Sequence, residues 1–186
     1  MKVLVEVSGR HVHLAKQDAD VLFGFNYEPF KIKNLSQTGE FACADKVILR
    51  NGAKELSARV IGPMRAHTQV EISASDAAYL GVKPPCNLSG DLSKSAGITL
   101  VGRVGELFLT AGVILAKAHI HCDPQNAKKY KFINGQSVKI RCNDYVFEDV
   151  VIKISPNFLL AMHIDTDEAV SAGIKKGEVG TGYLID

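Results

Sequence analysis

The sequence predicts a mainly β protein made of two small β-barrels, each capped by short helices and related to the other by an internal repeat. Two observations support this prediction. Short runs rich in β-branched and aromatic residues dominate the chain, and two motifs recur in the same order in its first and second halves. With few and short helical segments between them, such strands are typical of small barrels with helical covers.

Eight segments have the length and composition of β-strands. They are residues 3–7, 46–50, 56–61, 68–72, 98–101, 137–141, 146–154 and 159–164. The dipeptides Asn51-Gly52, Asn134-Gly135 and Asn143-Asp144 separate several of these segments and suit the turns of β-hairpins. The sheets are therefore expected to be antiparallel or mixed.

Two helices are indicated by their end signals. The first spans residues 16–23 and stops at Gly24, and the second spans residues 124–129 after Asp123, which can cap it. Two further short helices belong to the internal repeat.

The internal repeat is defined by two matches. A His-x-His motif at residues 11–13 is answered by another at residues 119–121, and residues 71–83 lie in register with residues 163–175. Each longer stretch has the order of a strand, a polar cap, a short helix and a glycine stop.

The repeat predicts two barrel modules. The first covers approximately residues 1–90 and the second residues 91–186, with residues 84–97 connecting them and with the chain free to cross between barrels. A length of 186 residues leaves open whether the modules are two small domains or one domain with a shared core.

Composition and charge exclude several classes of function. The 46% apolar and 23% charged residues are the balance of a globular protein with a packed core. The net charge of +2 offers no broad basic field for nucleic acid or an anionic membrane. No apolar stretch is long enough to cross a bilayer, and the first residues begin a strand, so we expect a cytoplasmic protein. The four cysteines lack metal-like or disulfide-like spacing, and we expect them to be reduced and mostly buried.

Four of the six histidines form the two His-x-His motifs. Residues i and i+2 of a strand project from the same face, so His11 and His13 can bind one metal ion, and His119 and His121 another. Imidazole nitrogens at this spacing suit Zn²⁺. A single motif of this kind is also common on a solvated strand face, but two motifs within a repeat favour metal binding.

The repeat nominates a third ligand for each ion. Glu71 and His163 occupy equivalent positions, each directly before the equivalent helix, and both residue types bind zinc. Three protein ligands with an open fourth position are typical of catalytic zinc. The predicted sites are therefore His11, His13 and Glu71 for one ion, and His119, His121 and His163 for the other.

Two other residues are weaker candidates for metal binding. Cys122 follows His121 directly, so its parity in the strand turns it to the opposite face. His67 has no counterpart in the repeat and is assigned to the surface or to a position behind the ligands.

An anion-binding residue is indicated within the first repeat. A turn at Gly62-Pro63 would place Arg65 close to Glu71, and a guanidinium group is shaped to bind phosphate or carboxylate. Residues 88–91, Leu-Ser-Gly-Asp, offer a hydroxyl group and flexible backbone to a phosphate or thioester oxygen. Both features also occur as ordinary surface residues and turns. The chain has no P-loop, dinucleotide-binding fingerprint or Gly-x-Ser-x-Gly motif, which disfavours nucleotide hydrolysis and serine acyl-enzyme chemistry.

Together these motifs resemble the PduL-type phosphotransacylases, also called phosphate propanoyltransferases. The resemblance covers nearly the whole chain and is carried by residues 8–14, 62–73, 89–92, 119–121 and 163–168. It implies two β-barrels capped by short helices, two zinc ions per chain and a homodimer. It also implies metal roles for the six ligands named above, a catalytic anion role for Arg65, and substrate-binding roles for Arg65, Gln69 and Ser89.

The implied substrates are acyl-CoA and phosphate, or CoA and acyl phosphate in the reverse direction. Arg65 is expected to orient phosphate for attack on the thioester carbonyl, while one zinc ion neutralises developing charge and the other holds the departing thiolate. Two other functions use the same ligands. One is a binuclear zinc hydrolase that attacks thioesters with metal-bound hydroxide, and the other is a zinc-stabilised module without catalytic activity.

The chain departs from the family pattern at two positions. Ala118 directly precedes the second His-x-His motif, where family members commonly carry an arginine. Family members commonly carry another arginine near the position of Asn87. Members enclosed in bacterial microcompartments carry an N-terminal extension, whereas the first motif here begins within ten residues of Met1. This favours a free cytoplasmic protein.

Overall fold

The computed structural model describes residues 1–175 and 177–185, which are mainly β. The strands, numbered in chain order, are β1 (Lys2–Val7), β2 (His11–His13), β3 (Lys31–Asn34), β4 (Phe41–Asn51), β5 (Lys54–Gly62), β6 (Gln69–Ile72), β7 (Cys86–Asn87), β8 (Ala96–Val101), β9 (Glu106–Ala116), β10 (His119–Cys122), β11 (Ser137–Cys142), β12 (Tyr145–Ile154), β13 (Ala161–Ile164) and β14 (Gly180–Ile185).

The helices of the described residues are short, as predicted. They are α1 (Lys16–Phe23), α2 (Ala74–Leu80), α3 (Pro124–Tyr130) and α4 (Thr166–Ser171). Asp123 caps α3 by accepting hydrogen bonds from two backbone N–H groups, and Asp165 and Glu168 form a capping box at α4. Within this part of the chain, no helix has the length and apolar character that a membrane span requires.

One closed barrel of six strands lies in the compact unit Arg10–Ala116. The order around it is β2, β6, β9, β8, β4 and β5, and β5 pairs again with β2. The β2–β5 and β6–β9 pairs are parallel, and the other four are antiparallel. β3 and β7 extend this sheet beside β4 and β9.

A second closed barrel lies in the other compact unit, which consists of Met1–Gly9 and the chain from Lys117 onward. The order around it is β10, β13, β1, β14, β11 and β12, with β12 paired to β10. Its parallel and antiparallel pairs fall in the same places as those of the first barrel. The predicted fold class of two related small barrels is therefore confirmed.

The first strand of each repeat completes the barrel of the other repeat. β1 precedes the first His-x-His strand but pairs with β13 and β14, and β9 precedes the second His-x-His strand but pairs with β6 and β8. The chain consequently passes from one compact unit to the other at Gly9/Arg10 and at Ala116/Lys117, which differs from the boundary near residue 90 expected from the sequence. Residues 84–97, expected to connect the modules, lie inside the unit Arg10–Ala116, where they form β7 and the start of β8.

Each barrel is filled by its own apolar side chains. Val12 and Ile120, the middle residues of the two His-x-His motifs, are fully buried in these two cores. Because side chains alternate along a strand, the flanking histidines project from the opposite face. Three of the four cysteines are buried, whereas Cys86 is exposed.

The predicted turns have different roles in the two barrels. Asn51 and Asn143 begin the turns of the β4–β5 and β11–β12 hairpins, and Asn134-Gly135 instead leads from α3 into β11. Asn51 Nδ2 donates a hydrogen bond to the Leu80 carbonyl (2.9 Å), and Asn143 Nδ2 donates to that of Ala172 (2.7 Å). Each hairpin turn therefore satisfies a carbonyl at the C-terminal end of α2 or α4.

Candidate functional site

The first histidine cluster is built by the antiparallel pairing of β2 with β6. Register places His11 opposite Glu71 and His13 opposite Gln69. His11, His13 and Glu71 are buried, and one potential ligand atom from each lies within 4.8 Å of the others. His11 Nε2 is 3.5 Å from Glu71 Oε2. The structure thus brings together the three residues that the repeat nominated.

The donor set of this cluster fits a zinc ion. Burial, with His11 and Arg65 nearby, lowers the pKa of His13 to about 2, so its imidazole is neutral. Its Nδ1 atom is buried and has no hydrogen-bond partner among the described residues. Zinc binds neutral imidazole nitrogens and carboxylates. A buried imidazole nitrogen that has no hydrogen-bond partner and lies near a carboxylate therefore suits a zinc ion.

The second histidine cluster is the repeat equivalent, formed where β10 pairs with β13. His119 lies opposite His163 in the register. The ring centroid of His121 is 4.7 Å from that of His119 and 4.7 Å from that of His163, and the His119 and His163 centroids are 5.4 Å apart. Three imidazoles from two adjacent strands therefore converge in this barrel as well.

Neighbouring groups orient the second cluster. His119 Nδ1 is 2.8 Å from the Lys117 carbonyl oxygen, which can only accept, so Nδ1 donates and the neutral ring would offer the lone pair of Nε2 to a metal ion. Phe158 stacks on His121 with ring centroids 3.9 Å apart and an interplanar angle of 15°. Counted back from the equivalent strands β6 and β13, the residue of the first repeat that corresponds to Phe158 is Ala66, which has no ring to stack on an imidazole.

The anion-binding residues predicted from the sequence lie beside the first cluster. Arg65 is anchored through its backbone N–H, which donates to the Leu14 carbonyl (2.9 Å) directly after β2. Its Nη1 is 3.4 Å from Ser89 Oγ, and its Nη2 is 3.4 Å from Glu40 Oε1. Arg65 is partly exposed, so its guanidinium group can meet a dissolved anion.

Gln69 joins the candidate anion-binding residues to the candidate metal ligands. Its side chain is 2% exposed and uses both ends of the amide. Nε2 donates to Glu71 Oε1 (2.6 Å) and to Ser89 Oγ (2.9 Å), and Oε1 accepts from the backbone N–H of Gly90 (2.8 Å). Gln69 therefore fixes the position of Ser89 relative to the Glu71 carboxylate.

Two residues near this site, Glu40 and Thr68, were not predicted from the sequence. Thr68 Oγ1 accepts a hydrogen bond from Ala15 N (2.9 Å) and donates to Asp18 Oδ2 (2.5 Å), which ties the start of β6 to the start of α1. Asn87 Nδ2 donates to the carbonyl groups of Asp91 and Ser93 and so braces the loop that carries Ser89. Glu40 and Thr68 lack a sequence signal, because their partners are distant in the chain. His67 is exposed.

An ion pair beside the first cluster has a changed counterpart beside the second. Arg10 Nε and Nη2 donate to both carboxylate oxygens of Asp76 at 2.8 and 2.7 Å. The repeat equivalents of Arg10 and Asp76 are Ala118 and Glu168. Glu168 instead accepts from the backbone N–H of Asp165 (2.9 Å). Burial, helped by the adjacent Asp165 and Asp167 carboxylates, raises the pKa of Glu168 to about 7.

We expect Glu168→Gln to stabilise the protein increasingly as pH rises. The pKa of Glu168 is near its ordinary value of 4.5 in the unfolded chain but about 7 in the folded protein, so the folded protein holds the proton more tightly. The protonated side chain therefore stabilises the fold fully below pH 4.5, and this contribution is lost as pH rises through 7. Relative to the parent, the variant should gain up to about 3 kcal/mol of unfolding free energy between pH 4.5 and 8. Urea unfolding across this range measures it. Glu148→Gln, at an exposed carboxylate on β12, is the control and should show no such trend.

Comparison with known proteins places these motifs in a family. Residues 4–175 match the family model of phosphate propanoyltransferase. A phosphate propanoyltransferase from Enterococcus faecalis is 42% identical over 186 residues, covering 97% of this chain and 87% of that protein. The corresponding proteins of Listeria monocytogenes and Thermotoga maritima are each 42% identical; the alignments cover 94% and 99% of this chain and 84% and 89% of those proteins. The chain therefore belongs to the phosphate propanoyltransferase family.

Proposed function

We propose that this protein is a phosphate acyltransferase that interconverts a short-chain acyl-CoA and phosphate with acyl phosphate and CoA. The observation that supports this most directly is the hydrogen-bonded link through Gln69, which joins Ser89 beside Arg65 to Glu71 in the first histidine cluster. An anion-binding arginine and a metal-ligand set in one small site suit a reaction between phosphate and a polarised carbonyl. Family membership supports the same reaction.

The proposal includes two zinc ions per chain. His11, His13 and Glu71 would hold one ion, and His119, His121 and His163 the other. Bound zinc would supply Lewis-acid stabilisation of the negative charge that develops on oxygen or sulfur during acyl transfer. The resemblance also supports a homodimer, which light scattering of the purified protein can test.

The chain's own residues would bind and orient the reactants. Arg65 would donate to two phosphate oxygens, and Ser89, held by Gln69, would offer its hydroxyl group to a third oxygen or to the thioester. A phosphate oxygen forms a bond to the carbonyl carbon, and the carbon–sulfur bond breaks. The products are acyl phosphate and the CoA thiolate, and the proton that hydrogen phosphate gives up on forming acyl phosphate converts the thiolate to the thiol. Holding phosphate next to the carbonyl supplies much of the rate enhancement.

The test is CoA release from a panel of short acyl thioesters, with and without phosphate. We expect release that depends on phosphate and yields acyl phosphate in equal amount. Release that is equally fast without phosphate and yields free carboxylate would show a hydrolase. Zinc-loaded protein that consumes no thioester under either condition would show a module without catalytic activity.

A further inference from the structure

A carboxylate lies inside the proposed anion site. Glu40 Oε1 is 3.4 Å from Arg65 Nη2, while Ser89 Oγ is 3.4 Å from Arg65 Nη1. The Arg65 and Glu40 side chains are 31% and 32% exposed, so an anion from solvent that binds the guanidinium group also meets the carboxylate. A site that only had to attract phosphate would gain nothing from a carboxylate, because its negative charge repels the anion.

Glu40 is held in place by its backbone rather than by chance loop geometry. It ends a turn in which its N–H donates to the Gln37 carbonyl (3.1 Å) and its carbonyl accepts from Leu35 N–H (3.0 Å). Gln37 is buried, and β4 begins at the next residue, Phe41. The carboxylate therefore extends from a fixed turn at the start of a barrel strand.

The chemistry of a carboxylate separates two anions of the same shape. An ionised carboxylate accepts hydrogen bonds and cannot donate them, so it repels any oxyanion that brings no proton. Inorganic phosphate keeps at least one proton at neutral pH, whereas sulfate, which is tetrahedral and similar in size, keeps none. An arginine beside a carboxylate can thus bind hydrogen phosphate at both its charged oxygens and its hydroxyl group.

We propose that Glu40 is a specificity-determining residue that selects phosphate over sulfate by accepting a hydrogen bond from the phosphate hydroxyl group. This inference rests on the proposed function, in which Arg65 binds phosphate. A site built to pair with a substrate hydroxyl group rejects an analogue that lacks it, because the site's polar group is left unpaired. Since Glu40 is partly exposed, we expect a preference on the order of 10- to 100-fold.

The test is competition between anions in the phosphate-dependent release of CoA. Arsenate, which keeps a proton as phosphate does and can itself attack the thioester, should replace phosphate and support CoA release with a KM close to that of phosphate. Sulfate should compete at least about tenfold more weakly. In Glu40→Gln the neutral amide can donate to sulfate, so the inhibition constant of sulfate should fall about tenfold or more while the KM for phosphate changes little. Glu55→Gln is the matched control, because Glu55 also pairs with an arginine, Arg50, on the hairpin of β4 and β5.

Two outcomes would overturn the role of Glu40. If neither the sulfate inhibition constant nor the KM for phosphate changes in Glu40→Gln, the carboxylate does not accept a hydrogen bond from the phosphate hydroxyl group. An equal decrease in both constants would show general repulsion of anions rather than selection. Arg65→Ala distinguishes both outcomes from failure of the proposed function. If the KM for phosphate is unchanged in Arg65→Ala, the anion site itself is misassigned. If that KM is raised in Arg65→Ala while Glu40→Gln leaves the ratio of the sulfate inhibition constant to the phosphate KM unchanged, only the inference about Glu40 fails.

Discussion

Replacing Arg65 by alanine should lower the rate of acyl transfer at limiting phosphate by roughly 30- to 1,000-fold, since a charge-assisted, two-point contact to phosphate is lost. We expect a larger change in the KM for phosphate than in the rate at saturating phosphate, because Arg65 is not part of either histidine cluster. Arg65→Lys should recover little, since an ammonium group cannot form the planar paired contact. Steady-state kinetics with phosphate varied, together with zinc content and Tm, measures these effects.

Arg103→Ala is the control for removal of a positive charge. Arg103 belongs to the same barrel unit and pairs with Asp45, and its side chain is 62% exposed. We expect near-parent kinetics for this variant. An Arg65→Ala protein that stays folded, keeps its zinc and retains the parent rate and phosphate dependence would show that Arg65 is an ordinary surface residue.

Replacing both His119 and His121 by alanine should reduce bound zinc from about two ions to about one per chain, because one donor is too few to hold an ion. Acyl transfer should fall by roughly a thousandfold or more if that ion stabilises developing charge. The pair His11→Ala and His13→Ala should have the same effect on the other ion. Elemental analysis after gel filtration gives the zinc content, and the thermal unfolding transition measured by calorimetry shows whether the variant is folded.

His67→Ala is the matched control for loss of an imidazole. His67 is exposed and outside both clusters, so its replacement should leave zinc content and activity at the parent values. If the parent protein is prepared without a chelator and still contains no zinc, the proposal that it binds zinc is wrong. Two zinc ions retained in the His119 and His121 double variant would show that other residues are the ligands.

The sequence predicts the two barrels because both depend on a repeated pattern of strand, helix and turn. Two barrel strands escape prediction for physical reasons. β9 is a long, largely apolar segment interrupted by Gly112, so it lacks the alternation of a half-buried strand. β14 contains Gly180 and Gly182, where an added Cβ would come within 2.5 Å of Ile174 and 2.6 Å of Ile140. These glycines make room for the barrel interior, although glycine is unfavourable in a strand.

The six metal-ligand candidates are predictable because strand alternation is a local pattern and because the repeat shows which distant positions are equivalent. His11 and Glu71 can be paired from sequence only because His119 and His163 repeat the arrangement. The anion site is less accessible to such reasoning. Glu40 reaches Arg65 from another turn because the register of β4 with β5 places Phe41 opposite Gly62, and no local pattern encodes that register.

The exchange of β1 and β9 between repeats sets the order in which the barrels can close. All six strands of the barrel in Arg10–Ala116 have been synthesised once Ala116 is added, so this barrel can close before the chain is finished. β1 is synthesised first, yet its partners β13 and β14 come last, so it stays unpaired for nearly the whole of translation. An unpaired strand is an aggregation hazard, and the charged Lys2 and Glu6 near the ends of β1 reduce it. Deleting the first nine residues would leave the later barrel one strand short, with β13 and β14 as exposed edges, while the His11 barrel kept all its strands.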